Sequence, residues 1–171
     1  LTDPQPVETV NVAADDPELQ ERCYHAAGAR KILPFTSTIA NIGTQRLDYV
    51  APEAHPAVWT QTAFGDLRFQ GWTRFSLIDG DGTVVAVGHK ASFCMINGTE
   101  IIDGSPETLG GWQGIDVGWA DEYTAGLPCQ YIDVTDVPAG DYTLRQETNV
   151  FHDIPELDYT NNSVDVPVTL Q

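Results

Sequence analysis

The run Glu156-Leu157-Asp158-Tyr159-Thr160-Asn161-Asn162 sets two carboxylates and two carboxamides within seven residues. Closely spaced oxygens of this kind suit a hard cation, and calcium accepts irregular loops. The same run also reads as a turn in which Asn161 and Asn162 take left-handed or Asx geometry; of the two, calcium is the expectation. The four histidines, His25, His55, His89 and His152, are scattered with no ligand spacing, and each reads as a surface or capping residue. Lys90 and Tyr123 carry an amine and a phenol. Taken singly, Lys90 reads as a snorkelling or ion-paired lysine and Tyr123 as a loop tyrosine. Cys23, Cys94 and Cys129 allow at most one internal disulfide. Asn97-Gly98-Thr99 and Asn161-Asn162-Ser163 match the N-glycosylation acceptor pattern, which also arises often by chance.

These residues must be positioned by short strands. Pro4 and Pro6 discourage helix near the start, and Val7 to Val12 can pair as an edge strand. Asp15 to Arg22 predicts one helical turn, with Pro17 near its start and acids in the first turn. Residues 32–41 predict a strand rich in β-branched residues that ends at Asn41-Ile42-Gly43, and Arg46 to Val50 a short return strand. Phe69, Trp72 and Phe75 are core candidates. Asp79-Gly80-Asp81-Gly82 is a hairpin turn, and Thr83 to Cys94 continues as strand. The glycine-rich stretch 96–118 reads as a long loop, which in a compact domain is usually functional or mobile. Val137-Pro138-Ala139-Gly140 is another tight turn. Val164, Val166, Val168 and Leu170 alternate as on a half-buried strand. Together these features predict an all-β, Ig-like β-sandwich with long irregular loops, one domain over residues 1–171.

Composition narrows the partners. Twenty-five acidic residues face eight basic ones, a formal charge of −17. Such a field repels nucleic acid and anionic membranes. It fits a salt-loving source, a cation-binding protein or a secreted acidic one. No run reaches the ~18 apolar residues of a membrane span, and no signal peptide is visible.

Longer blocks carry a resemblance. They are Gly88-His89-Lys90-Ala91-Ser92-Phe93-Cys94, Gln113-Gly114-Ile115 with Trp119-Ala120-Asp121-Glu122-Tyr123, Cys129 through Tyr142, and Ile154 through Asn162. In this order and spacing they resemble the catalytic domain of the lysyl oxidase family over roughly residues 20–165. The resemblance implies that Lys90 and Tyr123 are the pair the family condenses into lysine tyrosylquinone beside copper. The copper ligands do not follow. Where the family has a His-x-His pattern, this chain has Asp66 and Arg68, or Gly65 and Leu67 in the neighbouring register. No histidine lies between His55 and His89. Copper and the quinone are therefore not expected, and Lys90 and Tyr123 read as vestigial. An Asp66–Arg68 ion pair plugging the vacated site is the corresponding expectation.

The resemblance also implies calcium at Glu156, Asp158, Asn161 and Asn162, with Asp3 from near the chain start. It implies a bridged Cys129, with Cys23 favoured over Cys94 as its partner. The expected function is a catalytically inactive, secreted or cell-surface structural or binding module, with a self-assembling subunit as its specialised form. Its partner would be an extracellular protein or a second copy. The alternative is a copper- and quinone-dependent amine oxidase with atypical copper ligands.

Overall fold

The computed structural model describes residues 2–47, 59–62, 65, 67–69, 71–89, 95–109 and 114–171 of the chain. Its central element is β3 (Gly28–Ala40), thirteen residues long and paired on both edges. One edge takes β2 (Glu8–Val12) along its first part and β1 (Thr2–Pro4) along its second, both antiparallel. The other takes β10 (Tyr131–Asp133), then β9 (Trp119–Tyr123), which also pairs the two-residue β8 (Thr99–Glu100). Proline within β3 is tolerated because Pro34 lies opposite the gap between β1 and β2. Its carbonyl still accepts from the Gln5 N–H at 2.8 Å.

The second sheet runs β12 (Ser163–Leu170), β11 (Gly140–Thr148), β6 (Thr73–Ile78), β7 (Val84–Gly88). The two sheets enclose Leu33, Phe35, Phe75, Leu77, Ile132 and Leu144. Phe35, Leu77, Ile132 and Leu144 are fully buried, as period-two alternation requires of inward positions. Where the sheets meet, position 88 is closely packed and a side chain there would press on its neighbours. A Cβ there would lie 3.0 Å from Ile132 Cγ1 and 3.2 Å from the Tyr131 carbonyl. The fold is thus an all-β sandwich. Its β11 start also carries a tyrosine corner, with the Tyr142 hydroxyl donating to the Pro138 carbonyl at 2.9 Å.

The predicted helical turn is α1 (Pro17–Gln20), capped by Asp16, whose side chain accepts from the Glu18 N–H at 2.8 Å. The strand predicted to start at residue 32 begins four residues earlier, because β2 pairs along that stretch. In the stretch Arg46–Val50, Leu47 bridges to Ile115, and residues 48–50 lie outside the described part. The loop over 96–118 holds β8. The turn at 79–82 forms as read: Asp79 Oδ1 accepts from the N–H groups of Asp81 and Thr83 at 3.0 and 2.8 Å.

Cys23 and Cys129 form a disulfide, joining the end of the α1 turn to the start of β10 across a separation of 106 residues. Cys94 lies outside the described part. The bridge packs with Val12, Tyr24, Ile32 and Tyr131. Cys129 has φ of 58°, a strained value for a non-glycine residue. It is held there by the bridge and by Glu18, which accepts from the Cys129 N–H and the Tyr131 hydroxyl, both at 2.8 Å. Burial, together with the hydrogen bonds to Tyr24 and Glu18, keeps Tyr131 protonated well above the usual tyrosine range. Closing a loop of 106 residues should stabilise the fold by about 4–5 kcal/mol on the chain-entropy account. Denaturant unfolding with and without reductant measures this; unchanged midpoints would show that the bridge adds nothing.

Candidate functional site

Tyr123 lies in β9, not in a loop, with its backbone opposite Ser37 of β3. It is 1% exposed. Asp121, two residues earlier, falls on the same face of the strand and is also buried. The Tyr123 hydroxyl donates to Asp121 Oδ2. A phenol and a carboxylate are thus enclosed together.

The enclosure is aromatic. Tyr123 packs in one cluster with Ile39, Trp59, Phe69, Trp72, Met95 and Ile115. Trp59 and Phe69 meet edge to face at 5.6 Å, and Phe69 and Trp72 at 6.5 Å. Trp59 and Phe69 are facing partners of a two-stranded ribbon, β4 (Trp59–Gln61) with β5 (Leu67–Phe69). This ribbon is the segment where the copper ligands of the resembled family would fall. The structure therefore does bring that segment against Tyr123. The Arg68 backbone pairs with Thr60; Asp66, Lys90 and the Arg68 side chain lie outside the described part.

At the positions where the resembled family has its histidines, this chain offers no imidazole. A carboxylate at 66 offers one oxygen, and a guanidinium at 68 stays protonated and offers no lone pair. In the neighbouring register Gly65 and Leu67 offer no side-chain donor. The described histidines each have a neighbour of their own. The Nδ1 of His25 is 4.0 Å from Asp133 and the Nε2 of His89 is 3.8 Å from Glu21. The His152 ring lies 4.3 Å from that of Tyr159. Among the described residues, no three His, Cys, Asp or Glu side chains gather as a metal-holding group.

The long loop over the site is folded around one carboxylate. Asp116 is 3% exposed. Its Oδ2 accepts from the N–H groups of Thr108 and Leu109 at 2.6 and 3.0 Å and from Asn97 Nδ2 at 2.8 Å. Its Oδ1 accepts from the Thr108 hydroxyl at 2.5 Å. Next to it, Gly114 has φ of 148°, and a Cβ there would lie 2.3 Å from the Leu47 carbonyl. The Gly114 N–H donates to the Met95 carbonyl at 2.8 Å, which seats Met95 beside the cluster. Sequence reading did not single out Asp116. It does stand immediately after Gln113-Gly114-Ile115, and Asp121 stands two residues before Tyr123, so strand periodicity is the signal for the second.

The oxygen-rich run lies along a neighbouring groove of about 810 Å³ whose walls include Ile42, Arg46, Trp72, Glu156, Asp158 and Asn161. Glu156 Oε1 accepts from the carboxamides of Asn149 and Asn162 at 2.5 and 2.8 Å. Asp158 Oδ1 accepts from the N–H and hydroxyl of Thr160 at 2.8 and 2.6 Å, an Asx turn. Asp3 sits on β1 opposite Thr36, its Oδ2 accepting from Gln5 Nε2 at 3.0 Å. Glu156 and Asn162 are therefore brought together, whereas Asp158 faces its own turn and Asp3 is engaged locally.

A family model described as lysyl oxidase matches residues 7–171. Lysyl oxidase homolog 3B of Danio rerio is 38% identical over 143 residues, 80% of this chain and 17% of that protein. Lysyl oxidase homolog 2A of Danio rerio is 38% identical over 159 residues, 84% of this chain and 21% of its own length. Lysyl oxidase homolog 2 of Bos taurus is 36% identical over 157 residues, 84% and 20% respectively. The chain thus spans about a fifth of the length of these curated relatives.

The Asp116 centre is testable by pH. Burial alone would raise its carboxyl, but the hydrogen bonds from Thr108, Asn97 and Leu109 outweigh it and hold the value at about 2, against 3.8 ordinarily. The folded state then binds fewer protons than the unfolded state across this interval. The stability Asp116 contributes is complete above its unfolded value and is lost as pH falls from about 4 towards 2. Asp116→Asn should cost roughly 1–3 kcal/mol at neutral pH and flatten the acid limb of a stability–pH curve. An unchanged acid limb would remove Asp116 from this role.

Proposed function

The chain belongs to the lysyl oxidase family, and from that premise we propose that it lacks the family's copper–quinone chemistry and serves outside the cell as a structural or binding module. The observation that carries this is chemical. The ribbon that roofs Tyr123, and the chain from it to Gly88, contain no imidazole at all. Oxidising a tyrosine ring to a quinone needs a redox metal beside it, and neutral imidazoles are the suited N donors for copper. A fixed positive charge on Arg68 opposes a cation as well as failing to ligate it. Lys90 and Tyr123 are then inherited residues, and Tyr123 with Asp121 serves packing.

An extracellular setting is supported by the Cys23–Cys129 bridge, since disulfides persist in oxidising compartments. The charge of −17 adds solubility in salt. Among the described residues, no helix is long and apolar enough to cross a membrane. Assembly with an acidic partner or a second copy would need salt or a divalent cation to screen like charges.

Purified protein incubated with Cu(II) should hold well under one copper per chain. Peptide mass spectra should return Lys90 and Tyr123 unmodified. A crosslinked Lys90–Tyr123 peptide, quinone absorbance or stoichiometric copper would replace this reading with the amine oxidase one.

Calcium at the Glu156–Asn162 loop belongs to the same proposal. Support comes from two carboxylates and two carboxamides along one groove, with Glu156 bonded to amides that an ion could displace. An ion bound by the native state alone at a hundredfold excess over Kd stabilises by about 2.7 kcal/mol. Chelation should lower the melting temperature of the parent and leave Asp158→Ala unmoved. A parent that melts identically with and without chelator has no such site.

A further inference from the structure

The two N-glycosylation patterns sit in opposite surroundings. Asn97 is half-buried, and its carboxamide pairs reciprocally with one residue. Its Nδ2 donates to Asp116 Oδ2 and its Oδ1 accepts from the Asp116 N–H, both at 2.8 Å. The rest of that pattern is built into sheet: the Gly98 N–H donates to the Ala120 carbonyl at 2.9 Å, and Thr99 pairs with Ala120. Asn161 is exposed on the turn that leads into β12. Its neighbours hold that turn. The Asn162 carbonyl accepts from the Thr148 N–H at 2.8 Å and the Asn162 side chain is bound to Glu156. Ser163 is exposed at the start of β12.

We propose that Asn161 is the N-glycosylation acceptor of this domain and that Asn97 carries no sugar in the folded protein. This rests on the extracellular reading above, because the chain must meet a glycosyl-transfer machinery during export. The donor class is a lipid-pyrophosphate oligosaccharide. The Asn161 Nδ2 bonds to the anomeric carbon of the first sugar and gives up one proton. The bond from that carbon to the pyrophosphate oxygen breaks, and the lipid pyrophosphate leaves with the electron pair.

Amide geometry separates the two sites. A glycosylated carboxamide is a secondary amide and prefers the trans arrangement of a peptide. Its remaining N–H points away from its own oxygen, and the sugar takes the position on the oxygen's side. That is the position whose hydrogen Asn97 uses, because it holds Asp116 through oxygen and nitrogen together. A sugar there removes a donor from Asp116 and collides with a carboxylate that is 3% exposed, so a modified Asn97 is incompatible with the folded loop. At Asn161 the sugar projects into solvent beside the groove, and Oδ1 stays available to a cation.

The test directs the full chain through a glycosylating secretory host with a heterologous leader, so that native localisation plays no part. The folded secreted monomer is treated with a glycan-releasing amidase in ¹⁸O water and mapped. An ¹⁸O-labelled aspartate is expected at position 161 and none at 97, and Asn161→Gln should lose the glycan mass entirely. Asp81→Asn, which completes an acceptor pattern with Gly82 and Thr83 in the exposed β6–β7 turn, reports that transfer took place. A bare Asn161 in a preparation whose position 81 is occupied overturns the proposal without touching the extracellular reading. So does label at position 97 in native monomer.

Discussion

Hydrogen bonding along both edges of β3 is the constraint from which the rest follows. Thirteen residues engage four strands, two from the chain start and two from the region after residue 118. Unpaired strand edges are costly when buried, so a strand this long can sit in the interior only if both edges are filled. Filling them brings residues more than a hundred positions apart into register, and the Cys23–Cys129 bridge then closes at the same end. Tyr123 inherits its place from this pairing. Once Ser37 and Tyr123 are opposite each other, the phenol is committed to the interior and Asp121 with it.

Scarce positive charge is spent where desolvation is greatest. Asp133 is fully buried, and Arg30 meets it from the neighbouring strand at 2.9 Å. Burial would raise the Asp133 carboxyl, but donors from His25, Thr135 and Arg30 hold it below the usual carboxylate range. Two other arginines form bidentate pairs on the outer face of the second sheet, Arg74 with Glu147 and Arg145 with Asp165. Exposed pairs of this kind add little each, though they settle cross-strand neighbours in a chain with a large acidic excess. Buried Asp116, by contrast, is held by amides and a hydroxyl, and Asp121 accepts from a phenol. An acidic protein can keep carboxylates inside by supplying neutral donors.

The ribbon β4–β5 and the loop around Asp116 close the site from two sides. Their contacts are of different kinds. The ribbon contributes Trp59 and Phe69, whose edge-to-face packing is apolar and directional. The loop contributes a carboxylate that gathers backbone N–H groups. The Trp59–Phe69 contact needs no metal-donor group, so the wall it forms does not depend on one.

Periodicity and turn chemistry were legible without coordinates. Alternating valines announced β12, Asp-Gly repeats announced the β6–β7 turn, and proline with acids announced α1, because each depends on residues within a few positions. The family blocks, with Cys129 among them, were legible for the same reason of local pattern. The absence of imidazole between residues 55 and 89 is likewise a property of the sequence alone. Tertiary structure decided what depends on distant partners. It made Tyr123 a buried strand residue bound to Asp121, and it made Asp116 the centre of a loop that had no periodicity to read. It also separated Asn97 from Asn161, which are chemically identical in the sequence. The physical reason is that burial and hydrogen-bond satisfaction are set by groups brought together from far along the chain, and no local spacing records them.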